Sequence, residues 1–384
     1  MQKIGHCLGL TATVLVAFWL GFGFGGKALA NPPGTILNVW PLTGGGPGGG
    51  DAFRILYSST GLNGEPIEVS AAIFIPAGEP PAGGRNVIAW AHPTSGVVEA
   101  CAPSLMPDVA GMTWGLADML AKGYVVVATD YPGLGAPGVH PYLIGASEGR
   151  AVLDSVRAAR NLPRSGASER FVVWGHSQGG HAALYTGEVA AEGYAPDLKL
   201  VGVAAASPAT YLIELFNADK SSSAGKELTA MALYSWSKLT NTPASSLVEP
   251  DAMSVYEEMA QDCIESIAQF VALDQAEKPL THEKYLKANP AETEPWKGIM
   301  ESNSPGKGRI EAPVFLAQGT ADTTVLPAIT KQYGDVLCAQ GTRVHFVELP
   351  GVSHVFAAKE SVNAALAWMD DRFRGTPPPS SCGR

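Results

Sequence analysis

The residues with the clearest capacity for chemistry are Gly175-His176-Ser177-Gln178-Gly179. They follow the apolar stretch Phe171 to Trp174 and precede a helical pattern that starts near His181. A serine between two glycines in that setting has the form of a nucleophile elbow, in which small residues let a strand turn sharply into a helix and push the serine out above a sheet. A free serine hydroxyl is a poor nucleophile. It needs a base, and the base needs an acid that fixes its tautomer. Hydrolases with this elbow run serine, acid, histidine along the chain. Asp322 follows the apolar run Pro313 to Gln318, and His354 follows Arg343 to Leu349, so both fall in strand-end loops where side chains converge above a sheet.

The competing groups fit less well. His6 lies in the leader, His176 and His181 flank the serine, and His92 belongs to another loop. His140 and His282 have no strand before them, and His345 sits mid-strand. Among the carboxylates, Asp335 falls in the helix after Asp322, while Asp130 precedes the serine and reads as the cap of the turn Asp130-Tyr131-Pro132-Gly133. The oxyanion of a tetrahedral intermediate requires two donors. One is the backbone N–H of Gln178, directly after the serine. The other belongs to the loop His92-Pro93-Thr94-Ser95-Gly96, where Pro93 has no N–H to offer, and of the remaining three Thr94 is the choice, its hydroxyl being an extra donor.

The elements that must hold these residues are legible as short apolar runs. Val87 to Ala91, Tyr124 to Thr129, Phe171 to Trp174, Leu198 to Ala206, Pro313 to Gln318 and Arg343 to Leu349 are continuous rather than alternating, which means burial on both faces. Between them, Trp114 to Lys122, Ser147 to Asn161 and His181 to Glu192 place apolar residues at helical spacing, as does Ser361 to Phe373 after the last run. This is an α/β chain with a mostly parallel central sheet and helices on both faces. Phe53 to Ser59 and Ile67 to Ile75 add an antiparallel pair closed through Gly61 to Gly64, and the Pro- and Gly-rich Asn31 to Gly50 reads as leader or loop. Residues 211–305 break the rhythm with amphipathic helix carrying Met231, Leu233, Trp236, Met253, Met259, Phe270 and Leu273, and read as a helical cap between core segments 31–210 and 306–384.

Composition narrows the classes. The 384 residues are 46% hydrophobic and 16% charged, enough apolar content for a large core. A formal charge of −10 without any basic cluster removes the electrostatic basis for nucleic-acid binding. Residues 1–30 show Lys3, an apolar run from Leu8 through Phe24 and then Ala28-Leu29-Ala30, the order of a signal peptide cleaved after Ala30. No later run could span a bilayer, so the mature chain is expected outside the cytoplasm and without a transmembrane segment. Cys101, Cys263, Cys338 and Cys382 remain after that cleavage, an even set that suggests two disulfides in one of three pairings. No metal-ligand spacing is present, and the chemistry requires no cofactor.

His92 to Ser104, Gly123 to Gly135, Ser147 to Ala159 and Trp174 to His181, together with Asp322 and His354, resemble the secretory lipase family of α/β-hydrolases. The resemblance implies hydrolysis of lipid carboxylic esters, with Ser177, Asp322 and His354 as the triad and residues 211–305 as the cap that forms the acyl pocket. It also implies Cys101 paired with Cys263, tying cap to core, and Cys338 with Cys382. Pro93 departs from the usual oxyanion loop. The expected reaction is acyl transfer through an acyl-enzyme on Ser177, with activity rising as His354 loses its proton. A lipid or other ester is the substrate; the Met and Leu of the cap read first as burial against the core, and a lid that opens at a lipid–water interface is the sharper reading. A short-chain carboxylesterase and an acyltransferase share every motif. A prolyl-oligopeptidase-type peptidase would need an accessory domain for which there is no room, and a non-catalytic binding protein would commonly have lost the serine or the histidine.

Overall fold

The computed structural model describes residues 31–383 apart from 220–222, 267, 270 and 272–284, so the leader, Phe270, Leu273 and His282 lie outside the described residues. Its centre is one sheet of nine strands in the order β1-β2-β3-β5-β4-β6-β7-β8-β9. In chain order these are Ile36–Pro41, Asp51–Thr60, Pro66–Ile75, Arg85–Ala91, Val125–Thr129, Ala167–His176, Lys199–Ala206, Val314–Gly319 and Val344–Leu349. The first three strands and β5 pair antiparallel, and from β5 onward every pairing is parallel.

The apolar runs are continuous because both faces are covered. Along β4, Val87, Ala89 and Ala91 pack with one cluster while Ile88 and Trp90 pack with another, and in β6 Phe171 and Val173 alternate in the same way with Val172 and Trp174. The first face carries α2 (Gly145–Asn161), α3 (Gln178–Ala191) and α8 (Pro327–Ala339) through residues such as Val152, Leu184 and Tyr333. The second carries α1 (Leu116–Ala121) and α9 (Ala357–Arg374) through Met119, Leu366 and Trp368. Each large side chain sealed in this way contributes on the order of 1.5–3 kcal/mol by leaving water.

One expectation is corrected. Asn31 to Gly50 is not all loop, because Ile36–Pro41 forms the edge strand β1, in antiparallel register with β2 from Ile36 opposite Tyr57 to Pro41 opposite Phe53. The strand is held by its backbone and stays largely exposed, with the Arg54 guanidinium 5.1 Å from the Trp40 ring. Its sequence therefore lacks the buried pattern that marks the inner strands.

Between β7 and β8 lie α4 (Leu212–Asp219), α5 (Ser223–Thr240), α6 (Met253–Gln261) and α7 (Trp296–Ser302). They have an apolar cluster of their own, in which Met231, Leu233, Trp236 and Met259 pack with Tyr142 and Leu143 from the core segment. Cys101 is bonded to Cys263, joining the loop after β4 to this insertion, and Cys338 to Cys382, joining α8 to the C-terminal tail. The tail then donates from Ser381 N–H to Val344 O on the edge strand β9 at 2.7 Å.

Candidate active site

Ser177 follows β6 and caps α3 with φ 56° and ψ −118°, a conformation that costs a non-glycine residue energy and is held by the packing around it. The neighbouring glycines are dictated by close approach. A Cβ at Gly175 would lie 2.0 Å from Gly179 O, and one at Gly179 would lie 1.9 Å from Ala91 O and 2.6 Å from His92 O. The start of α3 is therefore pressed against the end of β4, from which the loop His92 to Gly96 departs.

The structure brings Ser177, His354 and Asp322 together. His354 Nε2 is 2.8 Å from Ser177 Oγ, and His354 Nδ1 is 2.9 Å from Asp322 Oδ2. All three are buried. Asp322 lies in the loop after β8 and His354 opens a single turn after β9, so neighbouring parallel strands aim both at the serine. Asp322 Oδ1 accepts from the N–H groups of Thr324 at 3.0 Å and Val325 at 2.8 Å, and Gln318 Nε2 donates to Oδ2 at 3.1 Å. Burial pushes the Asp322 carboxyl up, but the His354 charge and hydrogen bond and the Val325 N–H together hold it below the ordinary carboxylate value. A carboxylate facing Nδ1 places the imidazole proton there and leaves the Nε2 lone pair for the Ser177 hydroxyl proton.

Of the two expected oxyanion donors, Gln178 directly follows Ser177, and Thr94 belongs to the loop that leaves β4 at Ala91 and His92, which press against Gly179. Gln178 N–H is the first of α3, where the helix dipole favours negative charge, and Thr94 is buried in the loop after β4 with its hydroxyl 2.8 Å from the Tyr142 hydroxyl. Neither N–H has an acceptor among the described residues. The Asp130 reading is corrected: rather than capping its own turn, its buried carboxylate accepts from Ser70 Oγ at 2.6 Å and from Ser104 N–H at 2.8 Å, and so ties β3 and the 103–105 turn to the end of β5.

Sequence reasoning passed over His176, which turns inward and donates from Nε2 to the His354 carbonyl at 2.9 Å, with its ring 5.0 Å from those of His354 and Trp114. Burial pushes His176 down to about 3 and His140 down to about 4. Both are neutral in the fold and take up protons on unfolding, where the ordinary histidine value is about 6.5. Their stabilisation is complete above about pH 6.5 and is lost as the pH falls toward their folded values, at about 1.4 kcal/mol per pH unit for each ring. Urea unfolding between pH 6.5 and 4 should therefore show a shallower loss for His176→Phe than for the natural chain; equal slopes would mean that His176 does not titrate in this way.

An open cleft of about 470 Å³, counting its mouth, is lined in part by Ser177 and Gln178. Leu215 and Phe216 from α4, Leu228 from α5 and Val325 make its wall apolar. Among the described residues no group of three or more His, Cys, Asp or Glu is arranged to hold a metal.

With an apolar cleft lined by a serine that is hydrogen-bonded to a histidine, comparison with known proteins becomes informative, and a family model described as secretory lipase matches residues 110–381. The chain belongs to the secretory lipase family. Lipase A of Moesziomyces aphidis is 28% identical over 162 residues, which cover 39% of this chain and 34% of that protein. The secreted triacylglycerol lipase LIP7 of Malassezia globosa is 25% identical over 370 residues, covering 89% of this chain and 73% of that one. Among solved structures, Candida antarctica lipase A in its closed state superposes with a TM-score of 0.76 at 19% identity, over 92% of this chain and 85% of that one, which establishes the α/β-hydrolase fold. As a member of the secretory lipase family, the chain is an extracellular carboxylic ester hydrolase whose substrates are lipid esters.

Proposed function

We propose that this secretory lipase works through Ser177 as nucleophile, His354 as general base and acid, and Asp322 as the residue that fixes the His354 tautomer. The observation that carries the reading is the unbroken relay from Ser177 Oγ through both His354 nitrogens to Asp322. Ser177 attacks the ester carbonyl as His354 takes its proton, and the oxyanion is met by the N–H groups of Gln178 and Thr94. His354 then protonates the departing alcohol, and water repeats the sequence to free the acid.

In this reading the insertion between β7 and β8 is the cap, with Leu215, Phe216 and Leu228 receiving the acyl chain, and residues 1–30 are the signal peptide removed after Ala30. Leu105, Val139 and Leu326 are exposed large apolar residues in loops after β4, β5 and β8, at the end of the sheet that carries Ser177. That placement supports docking at a lipid–water interface. The test is turnover on nitrophenyl esters from acetyl to palmitoyl, with Ser177→Ala as the blank. A rise with chain length, up to about 0.8 kcal/mol per methylene until the cleft is full, is expected of a lipase. A maximum at acetyl or butyryl would make the protein a short-chain esterase.

A further inference from the structure

Behind the elbow lies a second buried polar cluster that the acyl-transfer steps leave unused: Glu148 from α2, His181 from α3, His140 from the loop after β5, and the side chain of Gln178. Gln178 Nε2 donates to Glu148 Oε1 at 2.8 Å and faces His140 Nε2 at 3.1 Å. Since His140 Nδ1 is spent on the Pro132 carbonyl at 2.9 Å, its Nε2 is the acceptor, and both amide protons of Gln178 are engaged. Glu148 Oε1 also accepts from Leu143 N–H at 3.2 Å, and Leu143, at φ 54°, lines the cleft. Glu148 Oε2 is 2.6 Å from His181 Nδ1, and His181 Nε2 donates to the Asn303 carbonyl at 2.8 Å. Asn303 follows α7 and closes the circuit by accepting on Oδ1 from Gly145 N–H, at the start of α2, at 3.1 Å.

We propose that Glu148 is the positioning residue for the oxyanion donor: it grips the Gln178 carboxamide, and so fixes the Gln178 N–H beside Ser177, while His181 anchors Glu148 to the end of the helical insertion. The inference rests on the reading of Ser177 and Gln178 given above. Its physical basis is that an oxyanion donor is effective only when held in place before charge develops, and the N–H of a first helical residue has no intrahelical bond to hold it. The side chain of that residue is the available handle.

Glutamine at position 148 can reproduce the circuit, with its carbonyl accepting from Gln178 and Leu143 and its NH₂ donating to His181 Nδ1; alanine cannot. Glu148→Ala should lower kcat on a nitrophenyl ester at least about tenfold with KM within about twofold, and weaken a trifluoromethyl ketone, whose serine adduct carries the oxyanion, by the same factor. Glu148→Gln should stay within about threefold of the natural chain in both. Glu148→Ala with unchanged kcat, a fall in kcat with unchanged ketone affinity, or Glu148→Gln as impaired as alanine would each overturn the proposal. If Glu148→Ala does not fold, Gln178→Met keeps the N–H and removes the handle, and its kcat decides in the same manner. Titration with diethyl nitrophenyl phosphate separates the two readings. A natural chain left unlabelled at Ser177 removes the nucleophile, whereas full labelling of variants with unaltered kinetics removes the positioning role alone.

Discussion

Ser177→Ala is expected to lower kcat on a nitrophenyl ester by at least about a thousandfold while leaving the fold intact. The substitution takes away one oxygen. The Cβ that meets the strained backbone at φ 56° is retained, so the elbow keeps the side chain its packing was built around, and glycine would be the poorer control because it could relax. What is lost is the 2.8 Å bond to His354 Nε2 and the only atom there able to form the acyl-enzyme. Binding should survive, since the cleft walls of Leu215, Phe216, Leu228 and Val325 are untouched and the oxyanion donors are backbone groups. Residual activity within about tenfold of the natural chain, measured on protein whose thermal unfolding matches it, would remove Ser177 from the mechanism.

The parts of this molecule that the sequence displays are those where one local rule suffices. Strands β4 to β8 are buried on both faces along their apolar runs, which leaves those runs uninterrupted, while Arg343 to Leu349, expected to be buried in the same way, forms the outer strand β9 and is mostly half-buried. The elbow needs Gly175 and Gly179 at fixed positions because backbone oxygens lie where any Cβ would stand. Asp322 and His354 could be chosen because strand-end loops of a parallel sheet converge, so their position relative to a strand substitutes for distance. Strand β1 escaped the same reading, since an exposed edge is held by backbone hydrogen bonds that put no pattern into its side chains. The Asp130 carboxylate was misread because its partners, Ser70 and Ser104, are 60 and 26 residues away in the chain. Glu148 and His181 are separated by 33 residues and sit on helices that look purely structural. Their one visible signal is polarity on faces that the apolar spacing requires to be buried, for α3 carries His181 in a first turn with no exposed side.

Asp322→Asn should be nearly as damaging as loss of the serine, with kcat lower by about ten-thousandfold near neutral pH, and for a different reason. The side chain keeps its shape, and the loop after β8 decides how it turns. Oδ1 accepts from Thr324 and Val325, so the asparagine carbonyl must stay there, because an NH₂ in its place would confront two N–H donors. The NH₂ group then faces His354 Nδ1 in place of Oδ2. Only an imidazole with its lone pair on Nδ1 can accept that contact, and its proton moves to Nε2, pointing at Ser177 Oγ, where no base is left. Gln318 Nε2, which donates to Oδ2, is set against a second donor as well, but its bonds to the Gly319 and Val325 carbonyls keep it satisfied, so the folded state is expected to persist. Aspartate also stabilises the imidazolium formed during attack, which an amide does not. The check is the rate of phosphorylation by diethyl nitrophenyl phosphate, which requires the same base: it should fall in parallel with kcat, while KM stays within about threefold. A variant that reacts with the phosphate as fast as the natural chain would show that Asp322 does not set the His354 tautomer.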